Sequence, residues 1–252
     1  MKFEFPADVK PIKCISESSE SSLILCEKKV VHTDSSRSSL GTQDYSHQRV
    51  LKIRFPKLYR HPVLDTRLRR HRTKVESKVL KKCETIQGIK VPAIYQVDVG
   101  NSAIHMQYVS GLTIAETIKC AVNKEASADE GKLSNIWHSV GFTIGSLHSN
   151  DIIHGDLTLS NFIIQDKPAE ESSDVCVVDF GLAFVSRTTE DKAVDLYSFE
   201  RCVNSVAPLR SNDWIDQAYK GYELAATEKQ FQETMRKLEQ VRLRGRKRSM
   251  LG

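Results

Sequence analysis

The chain has 252 residues, 40% of them apolar and 27% charged, ordinary values for one large or one two-lobed domain with a substantial core. The formal net charge of +5 is modest but unevenly placed: between Lys52 and Lys82 twelve Lys or Arg stand against two acids, Asp65 and Glu76, and Arg242, Arg244, Arg246, Lys247 and Arg248 close the chain. Two such blocks suit a polyanionic partner, a solvated helix and a frayed tail being the alternative; the six scattered cysteines argue against a zinc site or a disulfide framework.

Residues 16–22, Ser-Glu-Ser-Ser-Glu-Ser-Ser, read as a turn before a strand-like run, Leu23–Cys26. Residues 32–48 are rich in Ser, Asp, Thr and Gln and are expected to form a surface insertion. Val50–Phe55 alternates apolar and basic residues and predicts a strand. From Arg67 to about Cys83 the composition predicts a helix with Val75, Val79 and Leu80 as its apolar stripe. Strands are expected at Ile94–Val99 and Ala103–Tyr108, with Tyr108–Gly111 as a connection between lobes and 123–132 as a loop. Ile136, Val140, Ile144 and Leu147 recur at helical spacing, so a helix spans roughly Asn135–Ser149, with Gly141 and Gly145 permitting close packing. Ile152-Ile153 reads as a short strand, Phe162–Ile164 and Val175–Val178 as a hairpin, and the remainder as helices over about 193–206, 213–225 and 228–243. No apolar run approaches the ~18 residues of a membrane span, and the first residues lack the apolar stretch of a signal peptide. The expected location is cytoplasmic and nuclear.

The strongest chemical signal is His154-Gly155-Asp156-Leu157-Thr158-Leu159-Ser160-Asn161, followed eighteen residues after Asn161 by Asp179-Phe180-Gly181 at the end of an apolar run. Phosphoryl transfer needs metal to neutralise the triphosphate, and the metal needs rigidly held oxygen ligands. In this arrangement Asp156 orients a nucleophile or accepts its proton, Asn161 offers an amide oxygen to Mg²⁺, and Asp179 supplies the metal-binding carboxylate.

These motifs, in this order, resemble the protein-kinase fold, and the match extends upstream. Lys52 in Val50-Leu51-Lys52-Ile53 resembles the strand lysine that grips the α- and β-phosphates, and Glu76, twenty-four residues on, is placed to pair with it. The resemblance implies a minimal two-lobed α+β kinase-like fold: a small β-rich N-lobe over 1–108 carrying the insertion, and a truncated helical C-lobe over 109–252 with a basic tail from about 242. It also implies ATP and Mg²⁺ as cofactors, with Lys52, Met106, Tyr108, Asn161 and Asp179 in contact with them. Asp195 is where the fold commonly braces the catalytic loop; a first-turn aspartate stabilising its own helix is the simpler role.

Several features depart from ordinary kinases. Gly155 stands where the His-Arg-Asp triplet has arginine, Thr158 where serine/threonine kinases have lysine, and no Ala-Pro-Glu follows Asp179. Seventy-one residues after Gly181 are too few for the full peptide-docking platform. The stretch Ile15–Leu25, where kinases use glycines to approach the phosphates, contains none. A narrower resemblance joins these departures. The run Arg54–Asp65, His154–Thr158, Glu190–Tyr197 and the ending Arg242–Ser249 are similar to the kinase-like subunit of the KEOPS (EKC) complex. That family implies chiefly ATPase activity, with weak serine/threonine kinase activity. Such a subunit, a monomer within a hetero-complex, supports a threonylcarbamoyl-transferase subunit acting on tRNA beside a small regulatory subunit, away from membranes. Arg242, Arg244, Arg246, Lys247 and Arg248 are then the expected RNA contacts, and Ser249, in an Arg-x-Arg-x-x-Ser pattern, a phosphorylation site that would oppose RNA binding. The rival readings are a RIO-type kinase, a small-molecule kinase, and a silent pseudokinase scaffold.

Overall fold

The computed structural model describes residues 9–17, 21–28, 48–123, 130–165 and 175–251, with side-chain surroundings given through Gly245 in the last helix. The expected insertion at 32–48 falls outside these residues except for Gln48, which opens a strand. Among the described residues no helix is long and apolar enough to cross a membrane. The chain divides into two compact units, the first running up to Ser77 and resuming at Pro92–Tyr108, the second taking Lys78–Val91 and everything from Val109.

In the first unit, strands β1 (Val9–Glu17), β2 (Ser22–Lys28), β3 (Gln48–Ile53), β4 (Ile94–Asp98) and β5 (Ala103–Gln107) form an antiparallel sheet in the order β1-β2-β3-β5-β4. Both faces are apolar: Cys26, Leu51, Ile53 and Ala103 cluster on one, Val50, Ile104 and Met106 on the other. The serine-rich turn is shorter than its composition suggests, because Ser16, Glu17 and Ser22 are paired across β1 and β2. A backbone ladder overrides the local turn preference of serine there.

Helix α1 (Pro62–Cys83) begins five residues before the predicted start. Proline is preorganised for the first turn, Asp65 suits the helix N-terminus, and Lys81 and Lys82 suit its C-terminus. Val79 and Leu80 are buried as predicted, but ahead of them the buried face is polar: Asp65, Thr73, Glu76 and Ser77. From Lys78 the helix and the turn after it belong with the second unit. Lys82 Nζ donates to the Asn150 carbonyl at 2.7 Å, and the Val177 N–H donates to the Lys90 carbonyl at 2.9 Å.

The second unit adds β6 (Gly111–Thr113) and α2 (Ile114–Asn123), neither foreseen, then α3 (Glu130–Ser149). Strands β7 (Ile152–Ile153) and β10 (Phe184–Val185) pair, as do β8 (Phe162–Gln165) and β9 (Val175–Val177), with β6 on the outer edge of β8. Helices α4 (Thr189–Val206), α5 (Ser211–Ala225) and α6 (Glu228–Leu251) complete it, the last reaching eight residues past its predicted end. Trp137 stacks on Trp214 at 4.9 Å and meets Phe199 edge-on, joining α3, α4 and α5. Helices α3 and α5 cross backbone to backbone: a Cβ on Gly141 would lie 1.6 Å from the Ala218 carbonyl oxygen, and one on Gly221 1.9 Å from that of His138.

Candidate active site

Side chains on a strand alternate, so Val50, Lys52 and Arg54 share a face. Lys52 is 3% exposed, and its ammonium donates to Glu76 Oε1 at 2.8 Å. Arg54, equally buried, donates from Nη2 to Glu76 Oε2 at 2.5 Å. Glu76 on α1 thus holds two cations, one on each carboxylate oxygen. The pairing of Lys52 with Glu76 is the predicted one; Arg54 is an addition to it, and its period-two spacing from Lys52 is the sequence signal that points to it. The other terminal nitrogen of Arg54, Nη1, is buried without a partner among the described residues, at a cost of about 1–3 kcal/mol.

The distinctive run from Arg54 to Asp65 has a structural use. Asp65 is buried and accepts from Arg69 Nε at 2.7 Å, with Arg60 at 3.8 Å. Arg69 Nη1 in turn donates to the Arg54 carbonyl at 3.2 Å and the Ser102 hydroxyl at 3.3 Å. Strand end, helix start and the turn before β5 are thereby tied together, which fixes α1, and so Glu76, against β3. Val50 lies opposite Met106 and Lys52 opposite Ile104, so Met106, and Tyr108 two residues further on, share the face of Lys52.

In the second unit the loop after β7 carries Asp156, and the short 3-10 helix Leu159–Asn161 turns Asn161 back toward it. Asn161 Nδ2 donates to the Asp156 carbonyl at 2.9 Å and to Asp156 Oδ2 at 3.2 Å. With both amide hydrogens spent, the side-chain oxygen of Asn161 is the atom left for a cation. His154 joins this loop to the end of β9. Its Nδ1 accepts the Asp156 N–H at 3.3 Å, which fixes the tautomer with Nε2 protonated, and Nε2 donates to the Val178 carbonyl at 3.1 Å. The Val178 N–H donates to the Asn161 carbonyl at 2.9 Å, and the His154 ring lies 4.7 Å from that of Phe180. Asp179 follows with φ +63°, a left-handed conformation unusual outside glycine, and its Oδ1 accepts the Gly181 N–H at 3.3 Å.

Asp195 lies in the second turn of α4, behind this loop. Its Oδ2 accepts the His154 N–H at 2.8 Å and faces His148 Nε2 at 3.2 Å, and its Oδ1 accepts the Gly155 N–H at 3.0 Å. The simpler role, stabilising its own helix, is therefore not the one it performs; Thr188, Glu190 and Asp191 serve that helix end. Gly155 has φ +77°, and a Cβ there would sit 2.6 Å from the Leu182 carbonyl oxygen, so the place arginine takes in ordinary kinases is closed to a side chain.

The basic tail divides. Arg242 donates from Nε to Glu200 Oε2 at 2.9 Å and also bonds Glu200 Oε1 and Glu239; Tyr219 donates to Glu200 Oε1 at 2.5 Å. Glu200 holds the Arg242 guanidinium even further above neutrality than usual, while burial, and then the Glu200 charge, push the Tyr219 hydroxyl well above its ordinary range. Arg244 pairs with Glu190. Arg242 and Arg244, expected as RNA contacts, each meet an acid of α4: Arg242 the buried Glu200, and Arg244, itself 60% exposed, Glu190. The side chains of Arg246, Lys247, Arg248 and Ser249 lie outside the described residues.

A strand lysine paired with a helix glutamate, an Asp-x-x-x-x-Asn loop and a following Asp-Phe-Gly define a protein kinase domain, and the family model of that domain matches residues 60–210. The chain is 42% identical to the EKC/KEOPS complex subunit BUD32 of Yarrowia lipolytica, over 81% of this chain and 84% of that protein. It is 37% identical to subunit bud32 of Dictyostelium discoideum (84% and 80% covered) and 37% identical to subunit Tp53rkb of Mus musculus (81% and 80% covered). The chain belongs to this EKC/KEOPS BUD32 family of kinase-like proteins.

Proposed function

We propose that the chain binds ATP with Mg²⁺ and hydrolyses it, or passes its γ-phosphate to a hydroxyl, as the kinase-like subunit of an EKC/KEOPS-type complex that modifies tRNA. The observation that carries this reading is the catalytic loop, in which Asn161 restrains Asp156 while Asp195 holds the backbone of His154 and Gly155. Among the described residues there is no cluster of three or more His, Cys, Asp or Glu arranged for a metal. Mg²⁺ takes one or two protein oxygens together with substrate phosphates and water. Asn161 and Asp179 would hold the ion, which when bound supplies charge neutralisation at the phosphates.

Lys52, oriented by Glu76, would contact the phosphates, and Met106 and Tyr108 would line the nucleotide. Asp156 would orient the attacking water or accept the proton of a hydroxyl, helped by a loop with little freedom to reorganise. The partners on this reading are a threonylcarbamoyl-transferase subunit, a small regulatory subunit and tRNA, in the cytoplasm and nucleus. Contact with RNA would involve Arg242, Arg244, Arg246, Lys247 and Arg248, the first two already paired with acids of α4, and Ser249 is the residue whose phosphorylation would oppose it. The test is γ-phosphate release measured with and without the partner transferase and tRNA. Asp156→Ala and Asp179→Ala should each reduce it at least a hundredfold; full activity in either variant would overturn the mechanism.

A further inference from the structure

Among the described residues of the first unit, Arg54 is a buried cation to which the fold's usual chemistry gives no task. Arg54 lies just past β3 on the face of Gln48, Val50 and Lys52, beside the buried apolar cluster of Val50, Ile104 and Met106. An aliphatic residue would pack there without leaving a donor unpaired, yet Arg54 is 4% exposed and its Nη1 has no partner among the described residues. Its side chain makes one strong contact, 2.5 Å to Glu76 Oε2, while Lys52 takes Oε1.

We propose that Arg54 is a positioning residue for polyphosphate binding, acting on Lys52 through Glu76. Two effects follow from the geometry. Gripping Oε2 fixes the plane of the carboxylate and keeps Oε1 directed at the Lys52 ammonium. Sharing the single negative charge of Glu76 between two cations also leaves Lys52 less fully neutralised, so its attraction for a phosphate is stronger than in an isolated lysine–glutamate pair. Buried as it is, Arg54 acts through Glu76 and touches no ligand.

The inference rests on the nucleotide-binding reading, and the experiment separates the two. Isothermal titration of the full chain with ATP, ADP and adenosine, in Mg²⁺, is compared for wild type, Arg54→Met, Arg54→Lys and Arg54→Gln, alongside the melting temperature of each free protein. Arg54→Met should weaken ATP by about tenfold, the size of one charge-assisted interaction. ADP should weaken less and adenosine less than about twofold, because the effect scales with phosphate charge. Arg54→Lys should recover much of the ATP loss, and Arg54→Gln, close in shape but neutral, should not; these two decide the matter should Arg54→Met fail to fold. Wild-type affinity for ATP in both neutral variants overturns the inference alone, as does equal weakening of all three ligands with no recovery by lysine, which would mark a packing role. A wild-type chain that binds no ATP overturns the nucleotide reading and the inference together.

Discussion

Asp195 accepts the backbone N–H of His154 at 2.8 Å across forty-one residues of sequence, with both residues buried. The same carboxylate takes the Gly155 N–H and faces His148, so one side chain on α4 satisfies three groups, two of which, the His154 N–H and the His148 ring, belong to buried residues. Asp195→Ala should therefore cost about 3 kcal/mol or more in urea unfolding, since it strands two amides and an imidazole. Asp195→Asn keeps one acceptor and should cost roughly half as much. Any ATP turnover should fall in step, because the displaced loop carries Asp156.

The close crossing of α3 and α5 gives a contrast among glycines. A methyl group on Gly141 would meet the Ala218 carbonyl oxygen at 1.6 Å, and backbone on both sides has nowhere to move. A methyl on Gly245 would meet the Tyr197 hydroxyl at 2.0 Å, but that is the far end of a side chain that can swing aside. Gly141→Ala should lower stability by at least about 2 kcal/mol, despite alanine's better helix propensity, whereas Gly245→Ala should change it by less than about 1 kcal/mol. Thermal unfolding of the two variants checks the ordering; equal losses would mean the helices do not approach as closely as described.

The division of the basic tail leads to opposite expectations for neighbouring arginines. Arg242→Ala removes the counter-ion of Glu200, a buried acid, and should destabilise the protein by about 2–3 kcal/mol while leaving the salt dependence of RNA binding nearly unchanged. Removal of residues 246–252 should do the reverse. Stability stays near wild type, and the slope of log affinity against log salt falls by about two to three for the three cations lost. Binding of tRNA at several salt concentrations, paired with urea unfolding, distinguishes the two variants.

How far the sequence was readable depended on where each residue found its partner. Asp156 and Asn161 precede the β8–β9 hairpin and Asp179 follows it, so their order and spacing imply a local arrangement, of which the contact between Asn161 and Asp156 is seen. The pairing of Lys52 with Glu76 spans a strand and a helix, and was legible because the pattern of the fold supplied the distance. Arg54 lies within a long basic run whose members look interchangeable on composition alone; its period-two spacing from Lys52 is the signal the sequence offers, and burial singles it out. For Arg242 and Arg244 a sequence shows the charge but not the acids of α4 that each of them meets. Strand β6 is three residues long, too short to show alternation, whereas α2 carries Ile114 and Ile118, both buried, at helical spacing and was open to being read.

Thiol reactivity should separate the six cysteines by burial. Desolvation raises the Cys26 thiol from an ordinary 9.0 to about 11, and those of Cys83 and Cys176 to about 12, while Cys14 and Cys120 are exposed. At pH 8 a disulfide reagent should label Cys14 and Cys120 quickly and leave Cys26, Cys83 and Cys176 protected until the chain unfolds. The sign of the linked stability change follows. Each raised thiol holds its proton more tightly when folded, so its contribution is intact below pH ~9 and is lost as pH rises from there toward 11–12. Urea midpoints should decline over that alkaline range, and Cys176→Ser should not be the remedy, since it puts a hydroxyl in the same buried place.

Glu76 should prove more costly to lose than either cation it holds. Removing Arg54 leaves the glutamate with Lys52, and removing Lys52 leaves it with Arg54, but Glu76→Ala strips the shared carboxylate from two side chains that are 3% and 4% exposed. Breaking a buried ion pair from one side costs about 3–5 kcal/mol, and the loss here falls on two cations at once. Glu76→Gln keeps the shape and one acceptor, so it should cost less than Glu76→Ala but more than Arg54→Met. Because the three residues share one carboxylate, the effects will not add: Arg54→Met combined with Glu76→Gln should be less damaging than the sum of the two single changes. A double-mutant cycle by urea unfolding measures that coupling. A coupling near zero would mean that Arg54 and Glu76 do not bear on one another in solution, and that Lys52 is oriented without them acting as a unit.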